Sequence, residues 1–318
     1  MEATTTEHER IKYQEEFRTS PLKPGQLVWK RFLQHRMAVF GAIMLIVLIL
    51  YSFGGALFFT EAEANFPDLS ILLTGPSVEH PFGTDTVGRD IFKRTVYGGQ
   101  ISLLIGLSAV IVEVFVGVLI GAIAGYYGGW IDSLLMRFTE AMFNIPQLFL
   151  LLVMAKLFGG KIPPIEIFGR ELSGSVIVII VIIGLTSWMY LARIVRANFL
   201  SLKERDFVMA AQTIGTSNLS IIFKHILPNS IAPIIVSGTL SVANAIITEA
   251  YISFLGLGVQ APTATWGNML DRAYNYVASA PWLWIFPGSL IVLTVLSINF
   301  VGDGLRDAAD PHGLVKVE

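Results

Sequence analysis

The sequence predicts an all-α polytopic membrane protein with six transmembrane helices, and three observations carry that prediction. Charge is scarce: of 318 residues, 22 are Lys or Arg and 24 are Asp or Glu, 14% in all against 53% apolar, where a soluble domain carries about 25% charge. The mean hydropathy is +0.64, and the apolar residues gather in stretches near the roughly 20 residues needed to cross a bilayer core of about 30 Å. If those stretches cross in alternation, fifteen of the 22 basic residues fall on one side, which marks that side as cytoplasmic. The composition excludes disordered, collagen-like and disulfide-rich chains and argues against a soluble enzyme. With no cysteine, disulfides, thiolate catalysis and Cys-ligated metals are ruled out. A net charge of -2 and a pI of about 6.2 give no clustered basic face for nucleic acid.

Taken in order, residues 1–36 form a polar cytoplasmic segment. Pro21 and Pro24 stand near the end of its first 25 residues, which read as a mobile leader or a surface-lying segment. The first span, 37–59, holds no charge. It starts too far into the chain and runs too long for the 7–15-residue apolar region of a cleavable signal, so it reads as a retained helix. An external loop, 60–100, follows. Its second half, HPFGTDTVGRDIFKRTVYGGQ, predicts a short helix on the membrane surface. Thr84 or Asp85 would cap it, Asp90 and Arg94 would pair at i,i+4, and Val87, Ile91 and Phe92 would lie opposite them.

A five-helix core, 101–302, comes next. Its first span, 101–130, carries Glu113 alone, and the stretch 134–158 carries Arg137, Glu140 and Lys156 near its ends. Stretches 172–192 and 281–301 are uncharged, and 231–256 carries only Glu249. The uninterrupted part of span three is short, Ala141 to Ala155, and Pro146 and Pro233 remove backbone donors where a kink would follow. Gly117, Gly121, Gly125 and Gly129 recur every fourth residue, a face for close helix approach either within this chain or against a partner. Trp130, Trp188, Trp266, Trp282 and Trp284 fall near span boundaries, as interfacial anchors do. Residues 303–318 form a tail on the same side as the N-terminus.

Two acids lie within spans. Glu113 is twelve residues into its helix, about 18 Å at 1.5 Å per residue and so near the midplane. An ionisable group there either lines a passage or is a structural carboxyl satisfied by a partner. Glu249 sits near the outer end of span five and reads as a residue that fixes that end. Their different depths argue against a catalytic carboxylate pair. None of the five histidines (His8, His35, His80, His225, His312) falls in a span, so Ser–His hydrolysis and most metal chemistry lack their residues. Gly160-Lys161 is followed by Ile162 and has no upstream glycine in register, so no phosphate-cradling G-x-x-x-x-G-K-[ST] loop is present. Ion-coupled secondary transport would call for several paired intramembrane acids and inverted repeats, where this chain has one deep acid.

The inner segment 193–229 reads ARIVRANFLSLKERDFVMAAQTIGTSNLSIIFKHILPN from Ala192. Phe207, Ala210, Ala211 and Ile214 recur at helical spacing, and Gly215 stops the helix at a C′ position. Ser217 or Asn218 would cap a second helix carrying Leu219, Ile222, Phe223 and Ile226, which Pro228 would end. A hairpin of this kind suits either a groove on a partner protein or packing against its own bundle.

The run Ala210-Ala211, Gly215, Ile226-Leu227-Pro228 resembles the EAA loop of ABC importer permeases. HPFGTDTVGRD before span two, EAYISFLGLGV at the end of span five and VGDGLRDAADP after span six are similar to segments of the second permease subunit in the dipeptide, oligopeptide and nickel transporter family. The resemblance covers about Gln26 to Gly313. It implies an ABC importer type I permease fold, in the cytoplasmic membrane of a prokaryote, with both termini cytoplasmic. It further implies a coupling helix docking in a cleft of an ATPase subunit, with Met209, Ala210, Ala211, Gly215, Thr216, Ser217, Asn218 and Leu219 at the contact. The motif's glutamate position is taken here by Met209, so that carboxylate's ion pair is not carried over. The implied partners are a second, homologous permease forming a heterodimer, two ATP-binding subunits that use ATP and Mg, and an extracytoplasmic substrate-binding protein. The cofactors belong to those ATPases, and none to this chain. The implied cargo is a di- or oligopeptide, with nickel or another small solute as the alternative. Glu113 and Glu249 are the candidates for the translocation path.

Overall fold

A computed structural model describes residues 24–158, 160–167, 170–271 and 273–310. The leader up to residue 23 and the tail beyond 310 lie outside the described residues. Among the described residues, five helices are long and apolar enough to cross a membrane, and a bent helix pair makes a sixth if it counts as one span.

The polar N-terminal segment contains a helix that its polarity concealed. Pro24 sits at the first position of α1 (Pro24–Gln34), where its missing N–H has no partner to lose. Phe32 packs with Ala38 and Ala308, and an Arg31 guanidinium nitrogen donates to the Asp310 carbonyl at 3.0 Å. His35 separates α1 from α2 (Arg36–Ile49), its Nδ1 accepting the Ala38 N–H at 3.1 Å. The first span ends in a π-helical turn, Leu50–Gly54. The Tyr51 hydroxyl meets Thr95 Oγ1 at 2.6 Å, and Gln100 donates to the Ser52 carbonyl at 2.8 Å.

After the five-residue helix α3 (Glu61–Asn65), the structure corrects the expected surface helix. Neither Thr84 nor Asp85 caps a helix. Asp90 does, accepting the Lys93 N–H at 3.0 Å, and α4 runs unbroken from Ile91 to Tyr127. Gly88 interrupts any earlier start, because its φ of +79° is left-handed. The Asp85 carboxylate is occupied within the turn, taking the Val87 and Arg89 amides at 2.9 and 3.0 Å. Asp90 and Arg94 therefore begin the spanning helix itself. At 37 residues it is about 55 Å long, well beyond the bilayer core.

The third span breaks where the sequence places a kink, at Pro146. The helix α5 (Gly129–Phe143) ends before Pro146 and α6 (Gln147–Phe158) restarts after it, with an 82° bend between them. Neither half, at about 22 and 18 Å, crosses a bilayer core alone. Pro233, by contrast, causes no break. It lies in the first turn of its helix, where backbone donors are unpaired anyway.

A two-stranded antiparallel hairpin, β1 (Ile165–Ile167) with β2 (Arg170–Leu172), leads into α7 (Gly174–Leu202), which runs ten residues past the expected end at 192. Then come α8 (Asp206–Thr213), the short α9 (Asn218–Ser220), a π turn Ile221–Ile226, a 3-10 turn Leu227–Ser230 and α10 (Ile231–Phe254). Pro228 sits in the 3-10 turn and does not end the path, which stays helical from Asn218 to Phe254. The short helix α11 (Trp266–Met269) and α12 (Trp282–Ala309) complete the fold.

The pair α4 and α7 is the axis of the bundle. Glycines let the two backbones touch. A Cβ on Gly121 would meet the Ala192 carbonyl oxygen at 2.5 Å, and one on Gly125 would meet Phe199 Cβ at 2.6 Å. Gly117 faces Trp188 and Leu191 in the same way. Of the two readings of the glycine stripe, packing within the chain is therefore the one observed for these three. Gly129 lies outside α4 and contacts nothing at that point. Apolar side chains of α4, α6, α7 and α10 form the main core, while α12 packs on α2 and α10. Two of the tryptophans are core residues and not interfacial anchors: Trp188 and Trp266 are buried. The Trp266 indole donates to the Thr95 carbonyl at 2.8 Å.

Candidate functional site

Residues 203–230 fold as a helical hairpin at one end of the bundle. It is built on a closed turn. The Gly215 N–H bonds the Gln212 carbonyl at 2.9 Å and the Thr216 N–H bonds the Ala211 carbonyl at 3.1 Å, the paired pattern that ends a helix with a left-handed residue at C′. Gly215 supplies that residue at φ +80°. Val208 and Ala211 turn inward and pack with Phe199, Ile221, Ile222 and Ile226. Ala211 is thus part of the hairpin's own core.

The other seven site residues predicted here lie along the hairpin's outer side. Met209, Ala210, Gly215, Ser217, Asn218 and Leu219 are exposed, and Thr216 is half-buried. Ile214, Leu219 and Phe223 are 82%, 65% and 61% exposed, so the hairpin presents large apolar side chains outward. The hairpin is pinned to the spans at its sides. The Tyr126 hydroxyl at the end of α4 donates to Asn218 Oδ1 at 2.9 Å. Nearby, Arg196 on α7 grips Asp132 on α5 with two nitrogens at 2.5 and 2.6 Å, a forked pairing that fixes orientation as well as distance.

The two intramembrane acids are separate and neither is open. Glu113 is buried and takes the Ser241 hydroxyl at 2.7 Å, so α4 and α10 are tied near their middles. Glu249 is fully buried where α4, α10 and α11 meet. It accepts Ser253 Oγ at 2.7 Å and Ser102 Oγ at 3.3 Å. Each hydroxyl in turn accepts a backbone N–H from the segment after α10: Val259 to Ser253 at 3.2 Å and Trp266 to Ser102 at 3.1 Å. The carboxylate therefore orders two hydroxyls, and these hold the 255–270 connection against the bundle.

One feature of α10 passes unnoticed in an apolar span. Ser237, Ser241, Asn244 and Thr248 follow steps of four, three and four and share one helix face. Asn244 is exposed, and Ser237, Ser241 and Asn244 line a cavity of about 550 Å³ together with Tyr190 of α7. An amide on the outside of a membrane helix needs water or a protein partner, since lipid offers neither donor nor acceptor. The spacing of those four polar residues was the signal available in the sequence. Glu113 stands one layer behind this face, reaching it through Ser241.

Comparisons with known proteins bear on both regions. Residues 117–312 match the family described as the binding-protein-dependent transport system inner membrane component, and residues 23–76 match the N-terminal transmembrane domain of oligopeptide transport permease C. A putative peptide permease protein of Brucella suis is 44% identical over 89% of each chain. A dipeptide transport system permease protein of Alkalihalophilus pseudofirmus is 41% identical over 91% of this chain and 90% of its own. An oligopeptide transport system permease protein of Bacillus subtilis is 37% identical over 91% of each.

Proposed function

The chain belongs to the inner-membrane component family of binding-protein-dependent transport systems, and from that premise we propose that it is a permease subunit of an ATP-driven importer of di- or oligopeptides. The observation that carries the substrate class is the 37–44% identity to peptide permeases across nine-tenths of the chain. Two cytoplasmic ATPases supply the energy, holding ATP and Mg themselves, and this chain does no covalent chemistry.

The hairpin 203–230 is the docking element. Its outward residues, from Met209 and Ala210 to Leu219, enter a groove on the ATPase, while Val208 and Ala211 join it to the bundle. Closure of the ATPases on ATP moves the hairpin, and the continuous helical path from Asn218 to Phe254 carries that displacement into α10. The polar face Ser237, Ser241, Asn244 and Thr248 lines the peptide's passage, which a second, homologous permease completes from the other side. Hydroxyls and one amide suit a cargo whose backbone is itself a row of donors and acceptors. The excess of Lys and Arg on one side supports a cytoplasmic position for both termini and the hairpin. The end formed by residues 60–90 and 255–281 then faces the substrate-binding protein.

Substrate class is tested by reconstituting the two permeases, the two ATPases and the binding protein in liposomes. Labelled Ala-Ala and a nickel complex are then offered separately. Accumulation of the dipeptide, unaffected by excess nickel, is expected. Nickel accumulation without peptide accumulation would overturn the peptide assignment and favour the small-solute alternative.

A further inference from the structure

At the end of the bundle formed by residues 60–90 and 255–281, a polar cavity of about 420 Å³ is walled by Arg89, Arg94, Asn275 and Tyr276, among others. Its two arginines differ in what holds them. The Arg89 Nε donates to Asp85 Oδ2 at 2.7 Å, and the other oxygen of that carboxylate takes the Val87 and Arg89 amides. That ion pair is closed on itself. Arg94 is only 6% exposed. The hydrogen bond described for its guanidinium goes to the side-chain oxygen of Asn65, a neutral group, and among the described residues it joins no ion pair. Arg89, Asp85 and Glu61 act on it electrostatically, and Asp271 lies on the exposed rim of the cavity.

A guanidinium carries five N–H donors in a planar fork, and a buried cation without a matching anion is expensive. Arg94 lines a cavity wide enough for a small polar group, and Tyr276 and Asn275 line the same cavity. We propose that this cavity binds a carboxylate, its two oxygens taken by the remaining N–H groups of Arg94 with Tyr276 as a further donor. Two sources share that chemistry: the C-terminal carboxylate of the peptide, and an acidic side chain of the docked binding protein. The inference rests on the reading above that this end faces the binding protein.

The test uses the complete transporter, in lipid nanodiscs for binding and in proteoliposomes for uptake, with Arg94→Gln, Arg94→Lys and Tyr276→Phe. One arm measures the affinity of the peptide-free binding protein for the transporter. The other measures ATP-driven uptake of Ala-Ala into proteoliposomes at saturating binding protein. Loss of a forked, charge-assisted pair predicts a drop of about tenfold for Arg94→Gln, partial recovery in Arg94→Lys, and about threefold for Tyr276→Phe. A drop in the first arm identifies the binding protein's side chain. A drop confined to uptake, with binding-protein-stimulated ATP hydrolysis retained, identifies the peptide terminus. Both arms unchanged in an assembled Arg94→Gln complex would overturn the proposal. Should that variant fail to assemble, Tyr276→Phe decides alone: no shift in either arm overturns it. A wild-type complex that neither binds the binding protein nor takes up Ala-Ala would instead overturn the importer reading on which this rests.

Discussion

Replacing Ser102 by alanine should loosen the 255–270 connection by an amount that the Glu249 network sets. The Ser102 hydroxyl has two roles: it donates to Glu249 Oε2 at 3.3 Å and accepts the Trp266 N–H at 3.1 Å. Trp266 is the first residue of α11, so its N–H has no partner inside that helix. Removing the acceptor leaves a buried donor unsatisfied, at about 1–3 kcal/mol, and removes a long bond to the carboxylate worth about 0.5–1.5 kcal/mol. The total is about 1.5–4.5 kcal/mol, or roughly 10- to 1,600-fold in the folding equilibrium. Ser253→Ala should cost at least as much, because its bond to Glu249 is shorter, at 2.7 Å, and it also holds the Val259 N–H. Ser289→Ala is the comparison. That hydroxyl is exposed and bonds only a carbonyl of its own helix, so its change should stay within about 0.5 kcal/mol. The readout is the denaturant midpoint of the purified complex followed by tryptophan fluorescence. A Ser102→Ala protein as stable as Ser289→Ala would refute the network as the anchor of this segment.

Three further outcomes follow from the packing and the proposed passage. Gly121→Val places side-chain atoms against the Ala192 carbonyl and Val195, and should cost about 1–3 kcal/mol by overpacking, seen as less assembled complex. Gly215→Val meets no neighbour but forces a β-branched residue to φ +80°, a strain of about 1–3 kcal/mol. It should weaken retention of the ATPase subunits on purification while leaving the stability of the spans near wild type. Asn244→Leu should reduce peptide uptake without lowering the amount of complex, whereas Glu113→Gln, which still accepts the Ser241 hydroxyl, should transport almost as wild type. Equal uptake by Asn244→Leu and wild type would remove this face from the passage.

The membrane class and five of the six spans were legible because a lipid-crossing helix must avoid charge, and a run of uncharged residues is visible one position at a time. Gly215 was legible for a similar reason: a helix end at that spacing asks for a residue that tolerates positive φ. What stayed hidden depends on partners far away in sequence. Span two begins at Ile91 because Gly88 breaks the turn and Asp90 is left to cap, and only the folded turn shows Asp85 already occupied. Trp188 and Trp266 look like interfacial anchors by position, yet Trp188 packs against α4 and α5 and Trp266 packs against α4. Glu113 and Glu249 are equally conspicuous as acids in apolar spans. The hydroxyls that satisfy them, Ser241, Ser253 and Ser102, are 128, 4 and 147 residues away. Apolar periodicity says that a helix suits lipid but not which face meets protein, so the polar face of α10 escaped, while Pro146 signals a kink but not its 82° size.

As proposed, this chain is a conduit driven through its hairpin by subunits that hydrolyse ATP. The direct measurement is accumulation of labelled dipeptide in proteoliposomes holding both permeases and both ATPases. Conditions are varied one at a time: with and without ATP, with and without the binding protein, and with a proton or sodium gradient in place of ATP. Accumulation is expected only when ATP and the binding protein are both present. Accumulation driven by an ion gradient without ATP would contradict it.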